Sequence, residues 1–301
     1  MKVLMATDGS KDSTLAMISA CRLLRKDNLQ VDVLCVAPEL VMSRDEDAPH
    51  ADRKRIRDIY RQRVTRQSRQ VLARAEHELR KEKIHAGMLM RFGSAADVIL
   101  DMALDYDLVV LGAHGRDERR QPGLGPISSS VLQHATRSVL IGRDVSDDAT
   151  RRILVAFDGS DASVKALAAL PDYFDVGSLD ATVVDVVEIP WTEPDDEPSE
   201  LEVDPYEIPD PEQSVLRELR EDAAAIVEQA EGQLERWGIP TTAIIEEGDP
   251  ALELTSHAEE GGYDLIVAGA TGATDLKHAM LGSVSLKLAW NAPCSVLVVR
   301  E

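Results

Sequence analysis

The sequence predicts an α/β protein made of two doubly wound domains, each a parallel sheet with helices on both faces. Three observations lead there. The chain repeats itself: Met5-Ala6-Thr7-Asp8-Gly9-Ser10 recurs as Val155-Ala156-Phe157-Asp158-Gly159-Ser160, and Tyr106-Asp107-Leu108-Val109 recurs as Tyr263-Asp264-Leu265-Ile266. The offsets are 150 and 157 residues, a period that fits one domain per copy. Short apolar runs alternate with longer amphipathic stretches, which is the βαβ pattern. Finally, Gly112, Gly115 and Gly125 are matched by Gly269, Gly272 and Gly282, with two residues inside the first gap and nine inside the second in both copies.

In chain order, strands are predicted near 2–6, 31–36, 86–91, 107–112 and 138–142, then near 152–157, 181–187, 241–246, 264–269 and 295–299. Several are unbroken apolar runs, such as Ser295-Val296-Leu297-Val298-Val299, as expected where helices cover both faces of a parallel sheet. Helices are predicted near 11–26, 52–83, 94–105 and 127–135, then near 161–171, 212–237, 250–261 and 283–291. Ile226, Val227, Ala230, Leu234 and Trp237 mark the buried stripe of one long helix, and Val71, Leu72, Ala75 and Leu79 that of the other. The first domain is read as residues 1–146 and the second as 151–301, with a short linker around Asp147-Asp148-Ala149-Thr150 and an acidic insertion at about 190–212.

Composition narrows the function classes. At 301 residues and 44% hydrophobic, the chain can bury two sizeable cores. No apolar run approaches the roughly 18 residues of a membrane helix, and the first residues enter a strand without a signal-peptide pattern. Cys21, Cys35 and Cys294 form no metal or disulfide spacing, so a cytoplasmic location is expected. Residues 1–150 carry 24 Lys and Arg against 22 Asp and Glu, whereas residues 151–301 carry 9 against 32. That acidity argues against general nucleic-acid affinity. From Arg53 to Arg74, nine of 22 residues are Lys or Arg; from Glu193 to Glu212, ten of 20 are Asp or Glu, with five prolines. The acidic stretch reads as an extended loop, expected to pack near the basic helix within the chain or across a dimer.

The glycine loops carry the chemistry. In doubly wound sheets ligands bind beyond the carboxyl ends of the strands, where both loops should lie. Ser283 follows Gly282 and should open a helix whose first amides lack internal partners and favour an anion. The N–H groups of Ser283, Val284 and Ser285, with the two serine hydroxyls, are expected to cradle phosphate oxygens. Gly269 and Gly272 would let the backbone pass close to ribose and phosphates.

At this point the chain resembles a known family. Gly-x2-Gly-x9-Gly-(Ser/Thr) after the fourth strand, the first strand ending in Asp-Gly-Ser, and the closing Ala292-Pro293-Cys294-Ser295-Val296-Leu297-Val298-Val299 are similar to the universal stress protein family, here as two fused copies. The resemblance implies a five-stranded parallel sheet per domain, in order 3-2-1-4-5. It implies ATP binding, with Mg2+ or Mn2+ as accompanying cation, and pairing of the two domains through their last strands as an internal pseudo-dimer; a homodimer is compatible with it. Carried over, the second site would use Ala156, Phe157 and Asp158 on the adenine and ribose side and Val186 against the adenine. Gly269, Thr271 and Gly272 would meet the ribose and inner phosphates, and Gly282, Ser283, Val284 and Ser285 the outer ones. The matching residues of the first copy are Ala6, Thr7, Asp8, Val36, Gly112, His114, Gly115, Gly125 and Ser128.

The first copy departs from the pattern at Pro126, which stands where the family has Ser or Thr. Proline has neither N–H nor hydroxyl, although it suits the first turn of a helix. Losing one hydrogen bond to a charged group weakens binding about 10- to 100-fold. Arg116, Arg119 and Arg120 in the same loop could offset the loss. His114 is read as a ribose or phosphate contact or a solvent-facing turn residue, and Asp8 and Asp158 as turn caps that orient the nucleoside. No catalytic triad or carboxylate pair can be argued from spacing. The expectation is therefore an ATP-binding sensor or regulator with at most slow hydrolysis, its nucleotide held mainly in the second domain. The alternative is an interaction module with vestigial nucleotide binding that docks partners through charged surfaces.

Overall fold

The computed structural model describes residues 1–40, 50–115, 123–146, 148–188, 211–272 and 281–300. The N-terminal half runs β1 (Lys2–Ala6), α1 (Lys11–Leu23), β2 (Gln30–Ala37), α2 (His50–Lys81), β3 (Ala86–Phe92), α3 (Ala95–Ala103), β4 (Leu108–Gly112), α4 (Pro126–His134) and β5 (Ser138–Gly142). The C-terminal half runs β6 (Arg151–Ala156), α5 (Asp161–Ala168), α6 (Leu170–Tyr173), β7 (Leu179–Val187), α7 (Pro211–Arg236), β8 (Thr241–Glu247), α8 (Pro250–Gly261), β9 (Leu265–Gly269), α9 (Ser283–Asn291) and β10 (Ser295–Val299).

Among the described residues, ten strands join one sheet in the order β3-β2-β1-β4-β5-β10-β9-β6-β7-β8. Each half is parallel throughout and has the order 3-2-1-4-5. The halves meet at β5 and β10, which pair antiparallel with Val139 opposite Val298, Leu140 opposite Leu297 and Ile141 opposite Val296. Every residue of β4, β5, β9 and β10 is buried, which is why these strands read as continuous apolar runs. One apolar core lies between the sheet and α1, α2, α5 and α7; a second lies under α3, α4, α8 and α9. Both cores contain side chains from both halves, so the seam is packed as interior.

The repeated motifs do matching work in the two halves. Asp107 accepts the Lys2 amide at 2.7 Å, and Asp264 accepts the Arg152 amide at 3.0 Å, so the Tyr-Asp-Leu motif fixes where the first strand of each half begins. Its tyrosine reaches the second strand: Tyr106 donates to Asp32 at 2.7 Å and Tyr263 to Thr182 at 2.8 Å. Reciprocal bonds lock the seam. The Arg143 amide donates to Ser295 Oγ and the Arg300 amide to Ser138 Oγ, both at 3.0 Å. Arg143 Nη2 donates to the Ala289 carbonyl at the end of α9 (2.6 Å), and Arg300 Nη2 to the Leu132 carbonyl at the end of α4 (2.9 Å). Each half thus supplies a cation to the carbonyl end of the other half's last helix, where the dipole favours it.

Two helices differ from the sequence reading. The first stops at Leu23 rather than near 26, because Leu24 turns extended and bridges to Phe174 of the other half, with the Arg25 amide on the Tyr173 carbonyl at 2.8 Å. The helix expected over 161–171 breaks at Ala169, beside Pro171; proline withholds the amide that would continue the ladder. The acidic stretch Glu193–Asp210 and the arginines 116, 119 and 120 lie outside the described residues.

Candidate functional site

A cleft of about 400 Å³ opens at the carboxyl end of the C-terminal half's strands, within the size range of small-ligand sites. Ala156, Phe157, Asp158, Val186, Gly269, Thr271, Gly272, Gly282, Ser283, Val284 and Ser285, the eleven residues selected from the sequence in this half, all line it. They come from the ends of β6, β7 and β9 and the start of α9, more than 120 residues apart in the chain.

The Asp158 turn is built by backbone chemistry. Gly159 holds φ at 72°, a left-handed conformation that favours glycine. Asp158 Oδ1 accepts the Ser160 amide at 3.0 Å and the Ser160 hydroxyl at 2.6 Å, while Ser160 caps α5 by accepting the Ser163 amide at 3.2 Å. The N-terminal half repeats the arrangement: Gly9 has φ 79°, Asp8 accepts the Ser10 amide at 2.8 Å, and Ser10 caps α1. Phe157 contributes backbone to the cleft, because its ring is buried in the core on the α7 side. A Cβ on Gly272 would lie 3.3 Å from Asp158 Oδ2, so the two motifs, distant in sequence, meet here.

The glycine loop is pinned at both ends. The Ala270 amide donates to the Val299 carbonyl at 3.0 Å, and the Gly282 amide to the Ala270 carbonyl at 2.7 Å. Gly282 then leads into α9 with φ −64° and ψ 152°, and among the described residues no side chain caps that helix. The amides of Ser283, Val284 and Ser285 are the first of α9 and have no partner within it. The first half has the same frame: the Gly125 amide donates to the Ala113 carbonyl at 2.8 Å, and Gly125 leads into α4 with φ −66° and ψ 161°. There Pro126 occupies the first helical position and offers no N–H.

Three roles expected from the sequence are corrected by the geometry. The Ser285 hydroxyl does not face the cleft as a free donor: it donates to the Gly269 carbonyl at 2.5 Å, as Ser128 does to Gly112 at 2.7 Å. These buried serines tie the last helix to the fourth strand, so that of the two serine hydroxyls expected at a phosphate only that of Ser283 keeps this role. Gly269 serves packing rather than ligand approach, because a Cβ there would stand 2.6 Å from the Ala162 carbonyl carbon of α5. Gly112 meets the backbone of Asp12 and Ser13 at the same 2.6 Å. Nor does His114 point at solvent: its Nδ1 lies 3.3 Å from Asp12 Oδ2 on α1, and Asp12's counterpart in the second half is Ala162. The remaining residues of the first half sit at positions equivalent to those of the cleft: Ala6 ends β1, Thr7 follows it with its amide on the Leu34 carbonyl at 2.8 Å, Val36 lies in β2, and Gly115 follows His114.

The cleft is also lined by residues the sequence reading did not select, from β7, α7 and α8 among others, and Asp185 is the most informative of them. Asp185, inside the β7 run Ala181-Thr182-Val183-Val184-Asp185-Val186-Val187, lines the cleft and is only 6% exposed. Burial, and then the nearby Asp158 charge, push its carboxyl up to about 6. The signal was present in the sequence as a lone carboxylate in an apolar strand. Because the folded value lies above the ordinary 3.8, ionising Asp185 costs stability as pH rises from about 4 to about 6. Asp185→Asn is accordingly expected to stabilise the chain at pH 8 by about 1–3 kcal/mol and to change little below pH 4. Thermal melts of both proteins across that range check this.

The described lining holds four carboxylates, Asp158, Asp185, Asp222 and Glu188, and neither lysine nor arginine. Among the described residues no group of three or more His, Cys, Asp or Glu is placed to hold a metal ion, and no helix is long and apolar enough to cross a membrane.

Comparison with known proteins agrees with the geometry. The model of the universal stress protein family matches the chain twice, over residues 1–143 and 149–300. The universal stress protein YxiE of Bacillus subtilis is 38% identical over 86 residues, covering 29% of this chain and 58% of that protein. The universal stress protein Rv2623 of Mycobacterium tuberculosis is 26% identical over 212 residues, covering 69% of this chain and 66% of that protein. The chain thus spans about half to two thirds of the length of these curated relatives. The crystal structure of a universal stress protein from Archaeoglobus fulgidus has the same fold, with a TM-score of 0.66 at 21% identity over 99% of this chain and 98% of that one. The chain belongs to the universal stress protein family, with two of its domains in tandem.

Proposed function

We propose that the chain binds ATP, held mainly in the C-terminal half, and acts as a nucleotide-dependent sensor or regulator rather than an efficient catalyst. The observation that carries this reading is the start of α9, which has no side-chain cap among the described residues and opens on a cleft lined by all eleven expected residues. Backbone N–H groups and the helix dipole there suit a phosphate, and the Ser283 hydroxyl adds a donor. The emphasis on this half rests on Pro126, which removes one amide and one hydroxyl at the matching position of α4. Four carboxylates around the cleft would repel a bare triphosphate, so a divalent cation such as Mg2+ or Mn2+ fits as the partner that offsets the charge. A weak catalyst is favoured because His114 is engaged with Asp12 and is replaced by Thr271 in the second half. Three buried thiols suit the reducing cytoplasm.

A second reading draws on α2, where Arg61, Arg66 and Arg69 line an open groove of about 790 Å³ beside exposed Ile56 and Ile59. Such a surface fits docking of an acidic partner. Calorimetric titration with ATP and Mg2+ separates the two. Saturable binding is the expected result; heat of dilution alone would leave the α2 surface as the functional element.

A further inference from the structure

Resting on the nucleotide reading above, we propose that Asp185 reads the purine base, so that the choice between a 6-aminopurine and a 6-oxopurine depends on its protonation. Asp185 and Val186 both line the cleft at the end of β7. Side chains alternate along the strand, so Val186 lies on the α8 side with Val184 and Asp185 on the α7 side with Val183, where it is buried while Asp222 and Glu188 are exposed. It is set deep enough for a base edge to exclude water around it.

The hydrogen-bond inventories give opposite complements. Adenine offers its N6 amino donor beside a ring-nitrogen acceptor on both of its polar edges. A protonated carboxyl has one donor and one acceptor, and matches that pair; a carboxylate has acceptors only and sets a lone pair against the ring nitrogen. Guanine presents two neighbouring donors, N1–H and the N2 amino group, which a carboxylate matches and a protonated acid does not. With its carboxyl pushed up to about 6, Asp185 passes between the two forms near that pH.

The charges around it point the same way. Asp158, at the end of β6, acts on Asp185 directly, and Asp222 of α7 and Glu188 beyond β7 line the same cleft. On β8, Ile245 is its register partner; the next residues, Glu246 and Glu247, are engaged with His257 at 2.8 Å and with Arg220. No cation lines the cleft among the described residues; burial and the Asp158 charge favour the protonated form, against the Val186 backbone hydrogen bond, which favours the carboxylate. The first half has Cys35 at the matching position, and a thiol cannot make this paired recognition.

The test is the ratio of GTP to ATP dissociation constants at about pH 5 and about pH 8, measured calorimetrically with Mg2+ on the full chain. Both nucleotides carry the same triphosphate, so phosphate titration cancels in the ratio. The wild type is expected to favour ATP about tenfold more strongly at the lower pH. Asp185→Asn, whose amide always offers one donor and one acceptor, should hold the high ratio at both values. Asp185→Val should give a low ratio that does not move with pH. Saturable ATP binding with a ratio flat in the wild type, or with a pH response surviving in Asp185→Asn, overturns the base-reading role alone. Absence of saturable binding of either nucleotide overturns the nucleotide reading and this one with it.

Discussion

Ser283→Pro is expected to weaken ATP binding by about 10- to 100-fold for each donor it removes, while leaving the fold intact. The variant removes two donors at the first position of α9, the backbone N–H and the hydroxyl, and each hydrogen bond to a charged group contributes about 1.5–3 kcal/mol. The fold should tolerate it because the molecule already contains the experiment. Pro126 begins α4 with Gly125 at φ −66° and ψ 161°, and Gly282 precedes Ser283 at φ −64° and ψ 152°. The backbone leads into α4 and α9 at nearly the same angles, so proline meets no new strain there. The reciprocal Pro126→Ser should raise the affinity of the N-terminal half by a comparable factor. Calorimetric titration of both variants, with thermal melts to confirm folding, checks the pair. Unchanged affinity in Ser283→Pro would remove α9 from the phosphate site.

Gly269→Ala should cost about 2–4 kcal/mol of stability and also weaken the site. The added methyl would stand 2.6 Å from the Ala162 carbonyl carbon and 2.8 Å from its oxygen. Those are backbone atoms of α5, which cannot turn aside as a side-chain tip can. Either α5 lifts from β9 or the strand shifts, and both movements disturb the Asp158 turn that leads into α5. Gly232 in α7 is the control: a Cβ there meets nothing within 4 Å, so Gly232→Ala should stabilise by about 0.5–1 kcal/mol through helix propensity. Denaturant melts of the two variants should therefore move in opposite directions.

The fold was legible because its signals are local and doubled. Short, β-branched apolar runs such as Leu265–Gly269 and Ser295–Val299 fit strands covered on both faces, and the repeat made each assignment twice. What the sequence hid was set by tertiary contact. The end of α1 depends on Leu24 meeting Phe174, 150 residues away, and no helix-stop signal marks it. Part of the cleft's lining was legible, since glycine spacing and strand ends pick out eleven of its positions. Individual roles were less so. A serine after a phosphate-loop glycine looks the same whether its hydroxyl faces a ligand or a carbonyl; only the 2.5 Å bond from Ser285 to Gly269 decides. Gly269 likewise reads as a ligand-approach glycine until Ala162 is found against it. Asp185 could have been found, because a carboxylate within Val183–Val187 breaks the pattern of a buried strand.

The most direct test of the account is a crystal structure of the chain grown with excess ATP and Mg2+. It should show the nucleotide in the C-terminal cleft, with outer phosphate oxygens on the amides of Ser283, Val284 and Ser285 and the base beside Val186. A cleft closed by the protein's own side chains, or a nucleotide bound away from the start of α9, would contradict it.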